Sequence, residues 1–132
     1  MRWRRRHKEK GTSAIELVLY MPLLMLAIIV TVQFALTYLG KEAASAAVRE
    51  ASRVARVTGD VGQGEAKGRS YAANLGRGVL NNVNVTVVQV GGEQVRVTVT
   101  GSAPQLLPSF LGVTRVSESV QGPIERFEED TP

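Results

Sequence analysis

A chain of 132 residues has the length of one small domain. It has no cysteine, which removes disulfides, thiolate nucleophiles and cysteine metal sites; its one histidine, His7, sits among arginines and leaves no material for a histidine-based catalytic or zinc site. The net charge of +4 belongs to the leader: MRWRRRHKEK holds six basic residues against Glu9, a net of +5, and everything after Lys10 nets −1.

After the leader come Gly11, Thr12 and Ser13, then Glu16, then the 24 uncharged residues from Leu17 to Gly40. At about 1.5 Å per residue, a helix of that length crosses a hydrocarbon core of about 30 Å with some tilt. Tyr20 and Tyr38 stand near its two ends, where interfacial aromatics collect. A buried core helix would be shorter in so small a chain. Six cations precede the run closely, whereas its other flank mixes Lys41 with Glu42. The positive-inside rule therefore predicts a basic cytoplasmic leader (1–11), a single transmembrane helix in the cell membrane (12–40) and an extracytoplasmic αβ domain (41–132). The apolar core exceeds the about 7–15 residues of a secretory signal, and Leu39-Gly40-Lys41 is a poor cleavage site.

Two residues of this region invite a local explanation. Ser13-Ala14-Ile15-Glu16 fits a capping box, in which serine and glutamate satisfy free amides of a first helical turn, and a carboxylate there suits the helix dipole. Pro22 lacks an N–H and leaves the Val18 carbonyl without its donor, the usual cause of a kink.

Lys41 to Val57 continues as helix, with Ala44, Ala47, Val48, Ala51, Val54 and Val57 at three- and four-residue spacing. Its small residues suit close packing, and Gly59 is placed to end it. "GQGEAKGRS" fails as a phosphate loop, because Lys67 precedes Gly68 and the stretch follows a helix. It reads as a loop into a short second helix, roughly Glu65 to Leu80, with Tyr71, Leu75 and Leu80 facing inwards. The period then falls to two: Val83, Val85 and Val87, then Val95, Val97 and Val99, with Gly91-Gly92 between them as a hairpin turn. A third strand, Val113 to Val120, alternates less cleanly because of Arg115, Ser117 and Glu118. The fold class is α+β: a long N-terminal helix, a small helix and a three-stranded antiparallel sheet.

Between the last two strands lies APQLLPSFLG, residues 103–112. Its prolines exclude a central strand. Leu106, Leu107, Phe110 and Leu111 either close a small core over the sheet or form a docking patch for another subunit. The tail from Glu125 to Asp130 is acidic and is expected to fray.

Basic leader, Gly11, Thr12, Glu16 as the fifth residue after the glycine, then an apolar span: this order resembles the signal of type IV pilins and pseudopilins. GTSAIELVLYMPLLMLAIIVTVQFALTYL followed by EAASAAVREASRVARVTG is similar to the TadE-like pseudopilins of the tight-adherence (Flp) pilus, with a pilin-like fold. The resemblance implies that a prepilin peptidase cuts Gly11–Thr12 on the cytoplasmic side. It also implies that Glu16 pairs with the new amine of Thr12 on a neighbouring subunit, and that Pro22 aids local unwinding when subunits leave the bilayer. The implied partners are the peptidase, other pilin subunits, the Flp assembly machinery and the lipid bilayer.

The leading expectation is thus a minor pilin or pseudopilin acting in pilus assembly. The alternative is an uncleaved, signal-anchored binding module. An enzyme is not expected, since the exported part has no His or Cys and no convincing acidic pair. No metal, no cofactor and no nucleic acid are expected either.

Overall fold

The computed structural model describes residues 9–111 and 114–125. The leader through Lys8 with His7, the predicted strand start at Val113 and the acidic tail from Arg126 lie outside the described residues. The fold is α+β, in the predicted order: helix α1 (Glu9–Thr58), helix α2 (Val61–Leu75) and strands β1 (Asn81–Val90), β2 (Gln94–Ser102) and β3 (Arg115–Pro123). The strands form one antiparallel sheet in the order β1-β2-β3.

α1 passes Gly40 without a break, so the apolar run and the first helix of the domain are one element of 50 residues. At about 1.5 Å per residue that is about 75 Å. Its end follows the expected chemistry. Gly59 takes a φ of +67°, and its N–H donates to the Ala55 carbonyl at 2.9 Å. Asp60 then caps α2, its carboxylate accepting from the Gln63 amide at 3.2 Å.

The core lies between α1 and one face of the sheet. Ala43, Ala44, Ala47, Val48, Ala51 and Ala55 of α1 meet Val85, Val87, Val95, Val97, Val99 and Val116. Register explains the stripe: Val85 faces Val99 and Val87 faces Val97, so the alternating valines of β1 and β2 fall on one side. Five valines are essentially fully buried, each contributing roughly 1.5–2 kcal/mol by removal from water. Glu118 shares this face, opposite Val99, and its half-buried carboxylate lies 3.8 Å from the Lys41 ammonium. That pair is the reason the β3 alternation looked blurred in the sequence.

The structure revises several expectations. The glycine-rich segment is helical, and α2 spans Val61–Leu75 instead of Glu65 to Leu80. Its inward face is Gly64, Gly68 and Ala72, whereas Tyr71 and Leu75 are 37% and 50% exposed. Leu80 is buried as predicted, but in the turn before β1. Small residues win because α2 packs directly on α1: a Cβ on Gly68 would lie 2.9 Å from both the Ala51 Cβ and a Val85 methyl. On α1 itself, Val57 is exposed and Ala55 takes the buried position. The described part of the third strand begins at Arg115 and runs to Pro123, three residues further than expected. The segment after β2 reaches back to α1 rather than lying over the sheet, as described next.

Candidate functional site

The N-terminal part of α1 carries the residues that the sequence singled out. The helix already includes Gly11 and Thr12, having begun at Glu9. Ser13 is therefore inside the helix and not at its cap, so the capping box does not form. A cap residue needs non-helical dihedrals to reach back to the third amide. Glu16 is exposed, with no hydrogen bond or ion pair among the described residues. The local explanation of this carboxylate is thereby removed.

The apolar run is uncovered for most of its length. Val18 and Leu19 are both 70% exposed, and the most apolar window of α1 has no buried residue. The helix is long and apolar enough to cross a membrane, and a bare apolar surface of this extent is unlike that of water-exposed monomers. α1 continues through Pro22. Two hydroxyls of the run bond one turn back: Thr31 Oγ1 donates to the Ala27 carbonyl at 2.8 Å and Thr37 Oγ1 to the Gln33 carbonyl at 2.9 Å. This is how hydroxyls are satisfied in an apolar medium.

Gln33 is different, and sequence reading passed over it. It is 3% exposed although its neighbours in the run are bare. Its amide engages the segment between β2 and β3 on both sides. Oε1 accepts the Leu106 N–H at 2.8 Å, and Nε2 donates to the Pro104 carbonyl at 3.0 Å. Leu107 and Leu111 line a pocket beside it with Leu26, Val30 and Phe34. The one available signal was a carboxamide within a run of aliphatic residues, where a polar group needs a partner.

The four apolar residues of the segment thus divide. Leu107 is nearly buried, while Leu106, Phe110 and Leu111 are 52%, 82% and 59% exposed. Glu16 and this segment are not brought together. Glu16 and Gln33, which holds the segment, lie on the same helix about 25 Å apart along its axis.

Charge reappears only beyond the run. Besides Lys41 with Glu118, Arg56 Nε donates to the Pro123 carbonyl at 2.8 Å and the Arg56 guanidinium lies 3.4 Å from the Glu125 carboxylate. These contacts tie the end of β3 to α1. The Arg53 guanidinium, bonded to Glu50 at 2.8 Å and 3.0 Å, holds that carboxyl below the usual range. Among the described residues, no three His, Cys, Asp or Glu side chains gather as metal ligands.

A long apolar helix bearing a small α+β domain at its far end defines the class: a protein with a membrane-anchor type of N-terminal helix. Residues 11–53 match the family model described as TadE-like protein, in agreement with the resemblance seen in the sequence. The matched segment begins at Gly11, takes in Glu16, Pro22 and Gln33, and ends within α1, so α2 and the sheet lie outside it. No curated protein and no solved structure matches the chain.

Proposed function

We propose that the chain is a minor pilin or pseudopilin that acts in assembly of a tight-adherence (Flp) pilus. In this reading α1 crosses the membrane with the basic leader in the cytoplasm, and the sheet domain stands outside. A prepilin peptidase cuts between Gly11 and Thr12. The observation that carries the reading is Glu16: a carboxylate beside 24 uncharged residues, five positions after a glycine, and without a partner among the described residues. A charged carboxyl in lipid costs up to about 3 kcal/mol on insertion scales, so it calls for a cation from elsewhere. The amine created at Thr12 of an adjacent subunit supplies one.

Helical structure at the cut supports the choice of residue there. α1 runs through the Gly11–Thr12 bond, and a protease must open that backbone to reach it. Glycine lowers helix stability by about 1 kcal/mol relative to alanine, and its missing Cβ admits close approach.

The test is the N-terminal sequence of the membrane-extracted protein from cells with and without the peptidase. A start at Thr12 that requires the peptidase is expected. A retained leader in both strains would reject maturation and leave a signal-anchored binding module. In a matured protein, Glu16→Ala is expected to abolish pilus assembly while leaving the cut intact; normal piliation of that variant would remove the assembly role of Glu16.

A further inference from the structure

The polar contact between Gln33 and the segment after β2 fixes the depth of that segment. Whether the hydrocarbon begins at Ser13 or at Leu17, about twenty helical residues carry it to Val32 or Leu36. Leu26 and Val30 are inside it on either count. Leu107 and Leu111 line one pocket with those two residues, so they lie at the same level along α1. Residues 104–111 therefore cannot stand in water while α1 spans the membrane.

We infer that this segment is a re-entrant loop embedded in the outer leaflet, with Leu106, Phe110 and Leu111 in contact with lipid acyl chains. The inference rests on α1 crossing the membrane, and not on any role in a pilus.

Three features of the loop suit that medium. Non-helical backbone at membrane depth needs its polar groups taken up by protein. Pro104 and Pro108 have no N–H to satisfy. The Gln33 carboxamide takes the Leu106 N–H and the Pro104 carbonyl, the Gln105 side chain donates to the Leu107 carbonyl at 2.9 Å, and the Leu111 N–H donates to the Pro108 carbonyl at 2.8 Å. Leu106, Phe110 and Leu111 are left outward beside the exposed Gln105 and Ser109, and Phe110 is the barest large apolar residue among those described, at 82% exposure. Charge returns just above: Arg115 and Lys41 line one shallow groove with Thr37 and Glu118, at the height of phosphate headgroups. The loop and Gln33 complement each other. A lone carboxamide in hydrocarbon and a lone irregular loop in hydrocarbon are each unfavourable, and joined they satisfy one another.

The experiment uses the full chain, with its sole tryptophan removed by Trp3→Phe and a reporter introduced by Phe110→Trp. The protein is reconstituted in phosphatidylcholine–phosphatidylglycerol vesicles carrying acyl-chain bromines. A Leu26→Trp reporter in the same background marks the span. The expected result is blue-shifted emission from the Phe110→Trp protein, quenched by brominated lipid and shielded from aqueous acrylamide, as for the Leu26→Trp protein. Quenching by acrylamide and not by bromine, with the span reporter still bromine-quenched, would put the loop in water and overturn the inference. Shielding from both quenchers that vanishes on dilution with lipid would assign the loop to a second copy of the chain, and overturns it too. Loss of bromine quenching in both reporters would reject the membrane span itself.

Gln33 is the positioning residue of this arrangement. Gln33→Leu in the Phe110→Trp background is expected to shift the emission to the red and to raise acrylamide quenching, without moving the Leu26→Trp signal. An unchanged spectrum would show that the loop holds its depth without Gln33.

Discussion

The two halves of α1 are one helix with two kinds of apolar surface. Residues 13–32 present large aliphatic side chains all round and bury almost none; residues 43–55 bury alanines, one valine and Ser52 in a close interface. In the first half, side-chain bulk is what matters, because little among the described residues covers it and such a surface fits a membrane anchor. In the second, smallness matters, since it lets α2 and the sheet approach the helix axis. Hydrophobicity alone would rank both halves as apolar. What separates them is residue volume and whether protein covers the surface.

The largest expected effect comes from violating the first half. Leu24→Arg, at an exposed position deep in the run, should cost about 3 kcal/mol of membrane insertion, read as protein lost from the carbonate-resistant membrane fraction. Glu42→Arg, in the exposed start of the second half, should leave that fraction unchanged, and equal losses from both would erase the contrast.

The core of the α+β domain responds to a different change. Val97→Ala removes two methyl groups from a residue with no exposure, and should lower domain stability by about 2 kcal/mol in denaturant unfolding without altering insertion. Gly68→Ala sharpens the point about volume. Its new methyl would meet the Ala51 Cβ and a Val85 methyl at 2.9 Å. Overpacking of about 1–3 kcal/mol opposes a propensity gain of about 1 kcal/mol, so a net loss of about 1 kcal/mol is expected. A gain in melting temperature would mean that α2 can slide away from α1.

The smallest effect is electrostatic. The Arg53 guanidinium holds the Glu50 carboxyl below its ordinary range. A depressed carboxylate contributes above its unfolded pKa, and the contribution is lost as pH falls through the lower folded value. Glu50→Gln should therefore be slightly less stable than the parent near about pH 7 and equal to it near about pH 2. The pair is solvent-exposed, so added salt should shrink the difference further.

Much of the architecture was legible because it rests on period and length. Twenty-four uncharged residues between Glu16 and Lys41 mark a long apolar helix whatever the rest of the chain does. Alternating valines on either side of Gly91-Gly92 mark a hairpin, and those glycines do take φ of +63° and +78°, the left-handed region that glycine favours. The start and face of α2 were not legible. Gly62, Gly64 and Gly68 are poor helix formers taken locally, and only the proximity of α1 makes Gly64 and Gly68 the right residues there. Tyr71 and Leu75 looked like core by hydrophobicity, yet a helix packed this closely has no room for them between its axis and α1.

Gln33 shows the same division at the candidate site. Sequence alone determines the long apolar run, the glycine and glutamate that precede it, and the valine stripes of the sheet. Each of these follows from neighbouring residues acting under a helical or strand repeat. Only the tertiary structure decides that Glu16 has no partner among the described residues, that the serine before it is no cap, and that Gln33 holds a loop more than seventy residues away. The physical reason is that a hydrogen bond or a close packing contact depends on where two distant pieces of backbone meet, and no local repeat encodes that meeting.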